Sequence, residues 1–158
     1  MSATGLEVFD KTVHTTNLWL KEIGEDIGPD RRRSYDALRA VLFALRDRLT
    51  VEEAAHLAAQ LPILIRGIFY EGYKPSGKPE RIRSKDEFLE KVADQLKRIR
   101  PLGAEDASRA VFRVLQRHGF EQSELEVPRD RLEEWGARVD VVAPEAGEIR
   151  GWQENAGR

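Results

Sequence analysis

Residues 45–73 read LRDRLTVEEAAHLAAQLPILIRGIFYEGY, and the punctuation inside this stretch decides the fold. Thr50-Val51-Glu52-Glu53 is a capping box: the threonine hydroxyl accepts a backbone N–H while the glutamate reaches back to the start of the turn. It opens an alanine-rich helix that ends near Gln60. Pro62 then suits the first turn of another helix, where its missing N–H costs nothing. That helix carries Leu64, Ile65, Ile68 and Phe69 and is apolar on most sides. Such a pattern predicts the buried centre of a bundle.

Working upstream, Leu6, Phe9, Val13 and Leu20, with Trp19 and Ile23, mark the apolar side of a first helix that breaks at Gly24 and Ile27-Gly28-Pro29-Asp30. A second helix from about Arg32 through Arg48 repeats apolar residues at helical spacing: Tyr35, Leu38, Val41, Leu42, Leu45 and Leu49. Downstream, residues 72–83 carry glycines, prolines and charges with no period, so they read as a linker. Ser84-Lys85-Asp86-Glu87 is a second capping box, followed by the face Phe88, Leu89, Val92, Leu96 and Ile99. Ala104 to His118 forms a further helix with Ala107, Val111, Val114 and Leu115 inward.

Three anchors recur in order along the chain. RAVLFAL at 39–45 matches RAVFRVL at 109–115, Phe9–Val13 matches Phe88–Val92, and Leu61-Pro62 before Phe69 matches Val127-Pro128 before Trp135. Together they argue for a duplicated helical unit. The second copy is shorter between its central helix and the proline, predicting a stunted helix over 122–126 and a last helix from Arg129 to Trp135 or Ala137. The expectation is therefore all-α, with about eight helices. They form two related antiparallel units, 6–71 and 84–137, packed into one bundle-like domain over 1–139, with an extended or mobile tail at 140–158.

Arg46-Asp47-Arg48-Leu49-Thr50, then Ala58-Ala59-Gln60-Leu61-Pro62, then Arg66-Gly67 with Tyr70-Glu71-Gly72, resembles the first-half signature of the bacterial domain of unknown function 2267. Glu124 to Pro128 and Leu132 to Trp135 resemble that family's proline-then-aromatic ending more loosely. The resemblance implies a tandem helical fold. It implies no activity and no catalytic residue.

A formal charge of −2 gives no global drive toward nucleic acid or anionic membranes. The absence of cysteine removes disulfides and thiolate metal sites from consideration. The amino-terminal residues lack the basic region and apolar run of a signal peptide. No apolar stretch approaches the ~20 residues that span a bilayer. These features predict a soluble cytoplasmic protein.

Glu53 and His56 have the E-x-x-H spacing used in di-iron bundles, but those sites need the motif twice and two further glutamates. His14, His56 and His118 fall on three different helices, and no phosphate-binding, nucleophile-elbow or dinucleotide fingerprint is present. Neither a cofactor nor a metal is expected, and an enzyme is not. Arg31-Arg32-Arg33 stands at a helix start, where cations are disfavoured, and pairing with Asp30 and Asp36 is its simplest role. Lys74, Lys78, Arg81 and Arg83 make a basic linker beside Tyr70 and Tyr73 that suggests phosphate contact with base stacking, although a solvated linker is the expected reading. Arg46 and Asp47 are expected to bond across to the Arg66-Gly67 turn. A groove between the halves, bordered by Arg46, Arg66 and Tyr70, is the candidate ligand or partner contact.

The function expected is non-enzymatic: a protein-interaction or assembly module, with self-association among its modes and the apolar excess of the third and fourth helices as its surface. The alternative is weak nucleic-acid binding through the basic linker. No membrane partner is expected.

Overall fold

In a computed structural model that describes residues 2–97 and 102–118, all regular structure is helical. Helix α1 spans Glu7–Ile27, α2 Arg31–Arg48, α3 Val51–Gln60, α4 Ile63–Tyr70, α5 Lys85–Leu96 and α6 Ala104–Arg117. These are six helices among the described residues, against about eight expected. The expected helices at 122–126 and 129–137 and the tail at 140–158 lie outside the described residues.

Caps written in the sequence set three of the six described helix starts. The Asp30 side chain accepts from the N–H groups of Arg32 and Arg33, and Ser84 Oγ accepts from Glu87 N–H. Thr50 and Glu53 exchange both bonds of the capping box. At Ser84 the reciprocal bond is displaced by one residue, because the Glu87 carboxylate accepts from Arg83 N–H at 2.6 Å. The first helix continues through Gly24 instead of breaking there. A Cβ at that position would sit 3.3 Å from Ser34 Oγ, so the glycine lets α1 and α2 approach closely. Gly28, at φ 107°, ends α1 in a conformation few other residues adopt.

Helix α2 is the centre of the structure. It packs against α1, α4, α5 and α6, and Ala37, Leu38, Ala40, Val41, Leu42, Ala44 and Leu45 are all at most 1% exposed. The expectation that the fourth helix is central is corrected. In α4 only Ile65 and Phe69 are buried, while Ile63 and Leu64 are 64% and 41% exposed. An eight-residue helix presents too few turns to be surrounded, so its apolar excess stays outside.

A second correction concerns α1. Trp19, Leu20 and Ile23 are buried as expected, whereas Leu6, Phe9 and Val13 are exposed, and no described residue before Thr16 is buried. The carboxyl half of the helix packs on α2 and α6, and its amino half runs beyond them. The predicted faces of α5 and α6 are observed: Phe88, Val92 and Leu96, then Ala107, Val111, Val114 and Leu115, are buried. Ile99 lies outside the described residues.

The sequence-matched segments 39–45 and 109–115 fall in α2 and α6, which pack against each other. The segments at 9–13 and 88–92 fall in α1 and α5. Residues 72–83 are a solvated linker only in part. Ile82 enters the core, Glu80 N–H donates to Asp47 O at 2.8 Å, and the Lys78-Pro79 peptide is cis.

Because Leu42 is 0% exposed at the crossing of these helices, Leu42→Ala is expected to cost about 3 kcal/mol. Urea denaturation checks this: the midpoint should fall while the slope stays constant.

Candidate functional site

Of the residues that the sequence singles out, the carboxyl end of α2 gathers Arg46, Tyr70 and Lys78. An α-helix leaves its last four carbonyls without internal partners. Arg46 projects from α2 onto the end of α4, where Nη1 donates to Phe69 O at 2.7 Å and to Glu71 O at 2.5 Å. Its guanidinium carbon also lies 4.0 Å from the Phe43 ring centroid and 5.6 Å from that of Tyr73. Arg46 is 6% exposed, so a charge that burial would penalise is held by carbonyl dipoles, a carboxylate and aromatic faces.

Arg66 does for α3 what Arg46 does for α4. Its Nε donates to Ala58 O at 2.8 Å, and Nη2 donates to Ala59 O at 3.2 Å and Leu61 O at 3.0 Å. Arg48 Nη1 donates to Ile82 O at 2.7 Å and draws the segment before α5 onto the core. At the other end of α4, Leu64 N–H donates to Thr12 Oγ1 of α1 at 3.3 Å. Sequence expectation placed the partner of Arg46 at the Arg66-Gly67 turn. The guanidinium reaches the carboxyl end of α4 instead, because free carbonyls are found there.

Asp47 is the hub of the charged groups. Its carboxylate lies 3.0 Å from Lys91 Nζ of α5, 3.4 Å from Lys78 Nζ and 3.2 Å from Arg46 Nε. Glu80 also pairs with Lys91, and lies 2.8 Å from Lys78 Nζ. Burial pushes the Asp47 carboxyl up, but the hydrogen bond from Lys91 and the charges of Lys91, Arg46 and Lys78 outweigh it and hold the group below the ordinary aspartate value. Glu80 is lowered in the same way: burial raises it, and Lys78 and Lys91 more than compensate. For Lys78 burial disfavours the charged form, yet Glu80 and Asp47 raise its pKa.

Of the expected groove residues, Arg46 and Tyr70 come together around Tyr73, whose ring centroid lies 5.6 Å from that of Tyr70. Arg66 is not brought to them, being turned back onto the end of α3. Among the described residues the buried Tyr73 hydroxyl has no hydrogen-bond partner, and burial raises its pKa. In the basic linker Lys74, Arg81 and Arg83 are exposed, whereas the Lys78 side chain is 9% exposed and engaged by Asp47 and Glu80. Glu53 serves its capping box, accepting from Thr50 N–H at 3.0 Å. Arg32 pairs with Asp36 at 3.5 Å, as expected for that basic run.

Sequence reasoning did not find the seam between α1 and α6. Arg113 donates to Asp26 Oδ2 at 2.7 Å and to Glu22 O at 2.6 Å, while His118 Nε2 lies 2.7 Å from Glu22 Oε2 and stacks on Trp19. Nothing local in either helix signals partners about ninety residues away. An open cavity of about 560 Å³ lies at the α1–α2 turn, lined by Asn17, Leu20, Lys21, Pro29 and Arg31 among others. None of Arg46, Arg66 and Tyr70 borders it.

Fold and site thus define an all-helical protein whose arginines close its own helix ends. The chain belongs to the uncharacterized conserved protein family DUF2267, whose sequence profile matches residues 16–134. No curated protein matches the chain.

Arg46→Met should cost about 3 kcal/mol, because it strands buried carbonyls, and Arg46→Lys should recover only part of the loss, since an ammonium lacks the planar fork. Thermal unfolding of the three proteins checks this. The depressed carboxyls give stability that is complete above their unfolded pKa values and is lost as pH falls through the lower folded ones. Lys78, being raised, gives stability lost only as pH rises through its folded value. Stability should therefore fall below about pH 4. Asp47→Asn, measured by urea denaturation against pH, should be weaker at neutrality and flatter in acid.

Proposed function

We propose that the protein is a non-enzymatic helical interaction or assembly module, built of two related antiparallel units with about eight helices in all and acting in the cytoplasm. Its contact surface is the first turn of α4. The observation that carries this reading is the exposure of Ile63 and Leu64 on a helix that is held at both ends from outside itself. Isolated exposed apolar residues are ordinary. Here two adjacent ones stand on a preorganised helix, which lowers the entropy lost on binding. Arg46 and Arg66, the cations expected to border a ligand groove, are engaged by backbone carbonyls, which supports structural roles for both. Tyr70 is half-buried, which supports it as the member of that trio that touches a partner.

A second reading, weak nucleic-acid binding, is favoured by the exposed cations Lys74, Arg81 and Arg83. Recovery of partners from host lysate, with and without nuclease and at low and high salt, separates the two. Wild type should retain a protein partner through nuclease and high salt, and an Ile63→Asp, Leu64→Asp double variant should bind it at least about tenfold more weakly while unfolding at the same temperature. Recovery that requires nucleic acid and falls steeply with salt would transfer the function to the linker cations.

A further inference from the structure

Helix α1 carries one heptad stripe along its whole length: Leu6, Phe9, Val13, Thr16, Leu20, Ile23 and Ile27. From Thr16 onward every member is buried. Leu6, Phe9 and Val13 continue the same face yet are 53%, 54% and 42% exposed. Helix α6 lies along α1 in the antiparallel sense. Arg113 meets Asp26, and five residues later His118 meets Glu22 and Trp19. The chain therefore leaves α6 heading toward the uncovered half of the stripe.

We infer that this uncovered half is the docking site of the chain's own residues 119–135. That segment, which lies outside the described residues, carries Phe120, Leu125, Val127, Leu132 and Trp135. From Trp19 to Phe9 the helix axis covers roughly 15 Å, a distance that about five extended residues span. A segment tethered at His118 is presented to the stripe at an effective concentration on the order of millimolar, which a second copy in solution does not approach. The family match covers residues 16–134, so it takes in most of this segment, whereas Leu6, Phe9 and Val13 precede it and belong to this chain's own extension of α1. The docking site adjoins the first turn of α4, where Leu64 N–H reaches Thr12 Oγ1, but its occupant and its readout differ from those of the contact proposed at Ile63 and Leu64.

Amide hydrogen exchange on the full chain, read together with its solution mass, tests the inference. The wild type should be a monomer, and its amides within 119–135 should be protected. Val13→Asp should speed their exchange by about tenfold or more and leave α2 and α5 unchanged. Val13→Ile should retain the protection, and Phe9→Ser provides a second disruption at the far end of the stripe. Unprotected amides in wild type, or protection that neither Val13→Asp nor Phe9→Ser alters, would overturn it. So would a wild-type dimer that Val13→Asp dissociates without changing exchange in 119–135, because the stripe would then seat a second copy. Loss of partner binding in the α4 double variant moves none of these readouts.

Discussion

A helix of eight residues such as α4 leaves half of its carbonyls beyond the reach of its own N–H groups. Isolated, a helix of that length would not persist in water. Its survival depends on Arg46, which belongs to α2 and closes the α4 end from outside. Arg66, carried by α4, in turn closes α3. The order of support therefore runs from α2 to α4 to α3, against the order of the chain. Both links need a planar cation with several donors, which is why arginine and not lysine occupies each position.

The remaining ion pairs differ in weight. Arg39 with Glu71 and Lys85 with Glu105 are substantially exposed, where water and salt reduce such pairs to about 1 kcal/mol or less. The Asp47 cluster is better shielded and touches α2, the 72–83 segment and α5 at once. It joins α2 to α5 by charge, where the core joins them by apolar contact.

Much of this was legible in the sequence where a local signal exists. The Thr50-Glu53 box states its geometry in four letters, and the faces of α5 and α6 follow from spacing alone. What periodicity does not carry is how many neighbours a face acquires. It marked Leu6, Phe9 and Val13 correctly as one stripe with Leu20, yet contained no information on where α2 and α6 stop. It also favoured α4 as the centre because α4 is almost free of charge, whereas α2 carries six arginines. Those arginines sit at the two ends and on one outer face, so the apolar middle of α2 is what the other helices surround. The roles of Arg46 and Arg66 were unreadable for a related reason: a carbonyl acceptor leaves no letter in the sequence.

The 72–83 segment also determines where this chain can change length. Lys74 to Gly77 are exposed, and Gly77 turns at φ 80° with nothing within 4 Å of where a Cβ would stand. From Lys78 to Ile82 the same segment is fastened at successive points, by Asp47, by Lys91 and by Arg48. Extra residues inserted in the first part would loop outward at small entropic cost. A single residue inserted in the second would put every later fastening out of step. Length variation among related chains should accordingly be confined to one side of Lys78, a boundary drawn by anchoring and not by composition.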